Sequence, residues 1–176
     1  MANFIVETGA GLTDATSYVS TDEADDYLSI KPNYSVWEAL EEPESYLIWA
    51  TRLLDQRAVF RGSKSVDDSA LRWPRQGVLD RDGLTVAYDS VPKPIKDAVI
   101  EIAFHLVTQA VDPSAPAASS SGQIKRIKAD VVEIEYVEGT AGNTTNYFPV
   151  GINDILAGLG SLQGGGGSRF GRILKA

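Results

Sequence analysis

The chain of 176 residues contains no Cys and carries a formal net charge of −8, with a sequence pI near 4.6. Its length suits one domain, or one domain with an appendage, and the absence of Cys excludes disulfides and thiolate chemistry. Phosphate affinity comes from clustered Lys and Arg, so 24 acids against 16 bases argue against a general nucleic-acid binder. No apolar run approaches the length of a membrane span. The N-terminus lacks the pattern of a secretory leader, so we expect assembly in a cytoplasm.

The first sixty residues predict an edge strand and two helices. Residues 4–7 alternate between two sides, as in a short edge strand. Ser20 and Glu23 have the spacing of a capping box, which predicts the start of a first helix. Pro43 suits the first position of a second helix, and the apolar spacing continues that helix to about Phe60.

A third helix is predicted to begin at Pro92 and Pro94 and to reach about Val111. One face carries a core stripe, and the outer face is apolar as well. A helix that is apolar nearly all round needs more than one neighbour, so we expect its outer face to contact a second subunit. The core stripe is Ile95, Val99, Ile102, Leu106 and Ala110, and the expected subunit contacts are Phe104, Val107 and Val111.

The composition changes after the third helix. Pro, Ser and Ala dominate residues 112–122, which is typical of a linker. β-Branched and aromatic residues over 131–137 predict a strand, and residues 147–150 could return beside it to complete a hairpin. A short helix is expected over 152–159, and the Gly run that begins at residue 164 predicts a flexible tether.

These elements predict a mainly α fold of the α+β class, a compact helical bundle with an inserted β-hairpin and an extended C-terminal tail. We expect a core with an N-terminal extended segment over residues 1–111, a linker over 112–122, a hairpin with a short helix over 123–160, and a flexible docking tail over 161–176. The tail contains Lys and Arg but no acid, so the remainder of the chain is more acidic than the whole. A basic tail on an acidic body suggests that the tail binds a surface that the body does not.

The sequence gives little support for catalysis or for a metal or cofactor site, so we expect no enzyme. The one His, His105, lies in the apolar third helix, where a packed imidazole is the expected role, and no Gly-x-Ser-x-Gly elbow accompanies it. Asp80 and Asp82 begin a calcium-like loop that lacks its closing Glu. The acids within 22–26 suit a helix start, and the Gly-rich stretches lack the Lys-Ser/Thr of a phosphate loop.

The most informative motif contains Leu71, Trp73, Pro74 and Arg75. Pro74 has a fixed φ and pushes Trp73 towards an extended backbone. The large ring needs a pocket, while Arg72 and Arg75 keep their charged heads near water or carboxylates. We therefore expect a fixed structural loop whose Trp closes the core.

This motif, with the N-terminal stretches 3–11, 15–20 and 23–28, resembles a family of small tailed-bacteriophage proteins. Its members are head–tail connectors, also called adaptor or neck proteins, and the same family carries the label DnaT-like single-stranded DNA-binding protein. The resemblance covers the chain to about Ala110 and returns in the C-terminal tail. Relatives often carry Gln where this chain has Ser69, which changes one expected loop contact.

The resemblance implies a structural virion protein that forms a homo-oligomeric ring, roughly twelvefold, beneath the portal. The ring would join capsid to tail, contact the portal protein and a neck or tail-terminator protein, and let genomic DNA pass without sequence-specific binding. It would be assembled in the host cytoplasm and reside in the virion neck, with no membrane contact and no cofactor. The residues expected to dock the tail on the portal or an adjacent subunit are Arg169, Phe170, Arg172, Ile173, Leu174 and Lys175.

The alternative function is that of a DnaT-like single-stranded DNA-binding replication accessory protein. Such a protein places aromatic rings among cations along a groove. Each candidate patch here is short and lies in an acidic chain, so the salt dependence of DNA affinity would separate the two functions. The candidate patches are Trp73 with Arg72, Arg75 and Arg81, and separately Lys125, Arg126 and Lys128.

Overall fold

The computed structural model describes residues 3–110 and 148–163, together with two strands at 126–129 and 132–135. Within these residues the chain combines helices with small two-stranded antiparallel sheets, which confirms the mixed α+β class. None of the described helices is long and apolar enough to cross a membrane. The elements are α1 (Thr21–Leu28), α2 (Tyr34–Glu38), α3 (Pro43–Arg57), β1 (Ala58–Phe60), β2 (Ser63–Lys64), β3 (Arg75–Gln76), α4 (Lys93–Thr108), β4 (Arg126–Ala129), β5 (Val132–Glu135), α5 (Ile152–Ile155) and β6 (Gly160–Leu162).

The chain divides into two units. The first comprises Met1–Pro113 and Tyr147–Gly164, and the second comprises Ser114–Asn146 and Gly165–Ala176. The first unit contains the hydrophobic core and all the elements except β4 and β5. The expected linker lies outside the described residues, and so does the expected docking tail from residue 164 onward. The first residues assigned to that tail, 161 and 162, belong instead to β6, which pairs with β1.

The start of α1 follows the predicted capping box. The Ser20 hydroxyl accepts a hydrogen bond from the Glu23 N–H at 3.2 Å, and the Glu23 carboxylate accepts one from the Ser20 N–H at 3.1 Å. These reciprocal bonds satisfy two backbone donors that a helix start would otherwise leave without partners. The helix then buries Ala24 and Leu28 against the core.

The helix that the sequence predicts second corresponds to α3, and it ends at Arg57, before the predicted Phe60. At Ala58 the chain becomes extended, and β1 pairs antiparallel with β6, so that Ala58 lies opposite Leu162. The Gln163 N–H also donates to the Arg57 carbonyl at 2.7 Å. The predicted continuation of the helix to Phe60 is wrong, because residues 58–60 pair instead with β6, a strand far along the chain. Periodicity within one helix does not reveal such a partner strand.

The helix that the sequence predicts third corresponds to α4, which is central to the core and packs against α3. Pro92 is its N-cap and Pro94 lies in its first turn, as predicted. The predicted core stripe is buried as far as Leu106, but Ala110 lies beyond the helix and is exposed. The buried residues of α4 are Ile95, Ala98, Val99, Ile100, Ile102, Ala103 and Leu106.

The outer face of α4 is partly covered within the chain itself. Phe104 and Val107 are half-buried and pack against the core, and the Lys31 ammonium lies 5.4 Å from the centroid of the Phe104 ring. His105 is half-buried on the same helix. Val111 lies outside the described residues, and contact of this face with a second subunit stays a prediction.

The segment that contains α5 and β6 belongs to the first unit and packs against α4 and β1. Its helix spans only Ile152–Ile155, shorter than the predicted 152–159, and the following Leu156 and Leu159 are buried. Gly158 has a φ of +89°, and a Cβ there would lie 2.6 Å from the Arg81 backbone nitrogen. Only Gly fits this close approach, which fixes the segment against the turn at residues 80–83.

The β-hairpin differs from the prediction. Ala129 lies opposite Val132, so β5 pairs with the strand immediately before it and not with residues 147–150. A connection this short favours the pairing of neighbouring segments. Residues 148–150 form no strand, and the predicted return was wrong.

The Trp73 ring lies in the core, with no exposed surface. It meets the Phe60 ring edge-on, with the ring centroids 5.9 Å apart. Leu71 and Pro74 are buried beside it, and the Trp73–Pro74 peptide bond is cis. The loop thus delivers a large apolar side chain to the interior and anchors itself there.

Trp73→Ala should lower the free energy of unfolding by about 3–5 kcal/mol, because it removes buried apolar area and leaves a cavity. Urea denaturation measures this loss. The control is Tyr88→Ala at a side chain that is 65% exposed, where a change within about 0.5 kcal/mol is expected. Equal stability of the two variants would contradict the structural role of the Trp73 ring.

Candidate nucleic-acid interface

A buried polar cluster joins α3 to the loop over residues 69–76. The Tyr18 hydroxyl donates to Asp55 Oδ1 at 2.8 Å and accepts hydrogen bonds from the backbone N–H groups of Arg72 at 2.9 Å and Trp73 at 3.1 Å. The Arg72 N–H also donates to Asp55 Oδ2 at 3.0 Å. These four residues form what we call the Tyr18–Asp55 node.

Burial sets the electrostatics of the node. Desolvation raises the pKa of Asp55 to about 6, although the Tyr18 hydrogen bond and the Arg72 charge favour the carboxylate. Burial and the neighbouring Asp55 charge also raise the pKa of Tyr18, so its hydroxyl keeps its proton and remains a donor. At pH 7 and above, Asp55 therefore places a negative charge within the node.

Ser69 holds the same loop from within. Its hydroxyl is buried and donates to the Leu71 carbonyl at 3.0 Å. Lys64 donates to the Ser69 carbonyl at 2.6 Å, and the Ser65 N–H donates to the Pro74 carbonyl at 3.1 Å. The residue at which this chain departs from the resembling family therefore supplies a loop contact of its own.

Arg75 braces the other end of the loop. Its guanidinium donates to the carbonyls of Arg61 at 2.7 Å, Gly62 at 2.6 Å and Arg72 at 3.2 Å. It also lies 5.9 Å from the centroid of the Phe60 ring. The donors of Arg75 are thus directed to backbone acceptors, while its positive charge stays near the surface.

A cleft of about 380 Å³ opens beside the node, and we call it the α3 cleft. Its exposed rim carries Arg52 and Gln56 from α3 and Arg72 from the opposite loop. Asp55 lies on its inner side, with both carboxylate oxygens bonded into the node. The remaining lining residues are Ala15, Thr16, Ala70 and Leu71.

An aromatic ring lies next to the cleft on α3. Trp49 is half-buried, and the Arg52 guanidinium lies 5.6 Å from the centroid of its ring. Residues 49, 52 and 56 share one helix face, because they are three and seven positions apart. The contact with Trp49 holds the Arg52 guanidinium plane at the rim, where it is available to a ligand.

Six of the 16 Lys and Arg residues fall between residues 52 and 75. Among the described residues, salt bridges involve Lys31, Lys93 and Lys96. Within those described residues, none of the six cations in this segment forms a salt bridge. This cluster, which we call the basic segment, consists of Arg52, Arg57, Arg61, Lys64, Arg72 and Arg75.

The structure changes the sequence-based view of the DNA-binding patch. Trp73 is enclosed and cannot stack on a base, and Arg81 is exposed but does not line the cleft. Sequence reasoning missed Arg52 and Gln56, although their position on the exposed side of the α3 stripe could have indicated them. The side chains of the second patch, at 125–128, and the docking tail lie outside the described residues.

Asp55→Asn should change the pH dependence of stability. A carboxyl whose pKa is raised on folding, here from 3.8 to about 6, stabilises the fold while protonated and loses that contribution as pH rises through about 6. Wild-type stability should therefore fall relative to that of the variant, by roughly 2–3 kcal/mol between about pH 4 and pH 7. Urea denaturation across this range measures the difference, and parallel pH profiles would contradict the burial of a charged Asp55.

A family model described as "Putative DnaT-like ssDNA binding protein" matches residues 2–175. The match covers nearly the whole chain, and the chain belongs to this family. No curated protein and no solved structure matches it. The matching description is the DnaT-like one, which corresponds to the alternative function, and the comparisons contain nothing on head–tail connectors.

Proposed function

We propose that this member of the DnaT-like family binds single-stranded DNA at the α3 cleft. The observation that carries the proposal is the basic segment, whose six cations form no salt bridge within the described residues. Phosphate affinity comes from clustered Lys and Arg, and two of these six, Lys64 and Arg75, also donate hydrogen bonds to backbone carbonyls. The remainder of the chain is acidic in sum, so this segment is a surface to which a nucleic-acid backbone would be drawn.

The chemistry of the cleft suits a single strand more than a duplex. Arg52 on α3 and Arg72 on the loop both line one opening, where each guanidinium can contact a phosphate. The Trp49–Arg52 pair adds a planar surface on which a base can stack, and bases are free to stack only when they are unpaired.

Overall acidity sets the expected strength of binding. A net charge of −8 repels DNA from the rest of the molecule, so affinity should be moderate and should fall steeply with salt. Binding should show little preference among sequences, because phosphate contacts carry no base information.

Arg52→Ala and Arg72→Ala should each weaken binding of a fluorescein-labelled oligothymidylate by about fivefold or more, because each removes a charged hydrogen-bond donor. Each should also lower the slope of log K against log salt by about 0.7. Fluorescence anisotropy over a salt series measures both quantities.

Arg81→Ala is the matched control, because it removes an exposed Arg that does not line the cleft. It should leave affinity within about twofold of wild type. No binding by the wild type at low salt, or equal losses in all three variants, would refute DNA binding at the α3 cleft.

A role as a head–tail connector is the second candidate, and exposed apolar side chains favour it. Leu79, Leu84 and Tyr88 are 50%, 67% and 65% exposed within one short segment. Apolar side chains grouped in this way are typical of a surface that a partner covers. In this function the partners are further copies in a ring, the portal protein and a neck or tail-terminator protein, and the location is the neck of the virion.

Deleting residues 164–176 tests the connector function. The deletion removes the tail with Arg169, Phe170 and Leu174 but leaves the described core, which ends at Gln163. The thermal unfolding curve should be nearly unchanged while attachment to the portal is lost. Heads that still join tails with the truncated protein would contradict the docking role of the tail.

A further inference from the structure

The α3 cleft changes in character from its rim to its interior. Arg52 and Arg72 make the exposed rim basic. Inside, Ala15 and Leu71 are buried and apolar, and Asp55 is a carboxylate at pH values above about 6. The arrangement is therefore cationic outside, and apolar with a single acid inside.

We propose that the α3 cleft takes up one nucleobase of a single strand, with the base inserted and its flanking phosphates held by Arg52 and Arg72. This inference rests on the proposed DNA binding and adds that the group entering the cleft is a single base. A nucleotide has the matching distribution of chemistry, because its base is flat and largely apolar on both faces while its phosphates are anionic.

The carboxylate of Asp55 favours a base over a phosphate as the inserted group. This carboxylate would repel an anion that entered the cleft, so phosphates are confined to the rim. A base instead carries N–H donors on its edge, and carboxylate oxygens can accept more than one hydrogen bond each. The exposed Gln56 amide beside it offers both a donor and an acceptor.

The size of the cleft limits the number of inserted bases. About 380 Å³ lies near the lower end of the usual range for small-ligand sites. Such a volume holds one nucleotide and leaves neighbouring bases outside, where the Trp49–Arg52 pair can stack on one of them.

The test compares two labelled 15-nucleotide strands that bind the full-length chain at pH 7.5. One is oligothymidylate, and the other has the same number of phosphates but abasic sites throughout. Oligothymidylate should bind about tenfold more tightly, with a similar salt slope because the phosphates are unchanged.

Ala70→Phe places a ring in the cleft at an exposed lining residue. It should bring oligothymidylate to the affinity of the abasic strand. Ala87→Phe is the matched control at an exposed Ala outside the cleft, and should preserve the tenfold ratio. An unaltered ratio in Ala70→Phe would overturn base insertion.

The outcomes also separate this inference from the proposed function. Equal binding of both strands by the wild type would overturn base insertion while leaving DNA binding through phosphates intact. Failure of the wild type to bind either strand would overturn both. A melting temperature of Ala70→Phe equal to that of Ala87→Phe would show that loss of the ratio does not come from unfolding.

Discussion

The Tyr18–Asp55 node is the constraint on which the loop and the cleft depend. An acidic group placed in a largely dry site costs free energy unless its oxygens are bonded, and here a hydroxyl and a backbone N–H bond them. The same hydroxyl receives two successive amides of the loop. Loop position, Trp73 burial and the placement of Arg72 are therefore coupled.

A second buried carboxylate shapes the segment that carries Tyr18. Glu7 is 1% exposed, and its oxygens accept the N–H groups of Gly9 at 2.8 Å, Gly11 at 2.9 Å and Leu12 at 2.8 Å. The Leu12 carbonyl in turn accepts the Ala70 N–H at 2.9 Å. The N-terminal loop and the loop over residues 69–76 thus hold one another, and the wall of the α3 cleft is built from both. Two acids of this acidic chain, Glu7 and Asp55, thus hold loops in place inside the protein, while Arg52 and Arg72 lie at the adjacent surface.

Local signals were readable from the sequence, and contacts between distant segments were not. The capping box at Ser20 and the core face of α4 depend on spacing within one helix, so periodicity predicts them. By contrast, the strand β1 and the pairing of β4 with β5 depend on contacts between separate segments, which spacing within one element does not reveal. Nothing in the sequence distinguishes Asp55 from a solvated acid on a helix, so the node, and the meeting of Arg52 and Arg72 at one cleft, became visible only in the fold.

The most direct test of this coupling is amide hydrogen exchange in Tyr18→Phe, which removes the hydroxyl but keeps the ring. If the node positions the loop, the Trp73 amide should exchange about tenfold faster than in the wild type, since it loses its hydrogen bond to the hydroxyl. The Arg72 amide should also exchange faster, but by less, because it keeps Asp55 Oδ2 as an acceptor. The amides of α4 should keep their protection. Unchanged exchange at Arg72 and Trp73 would contradict the account, because the loop would then be held without the node.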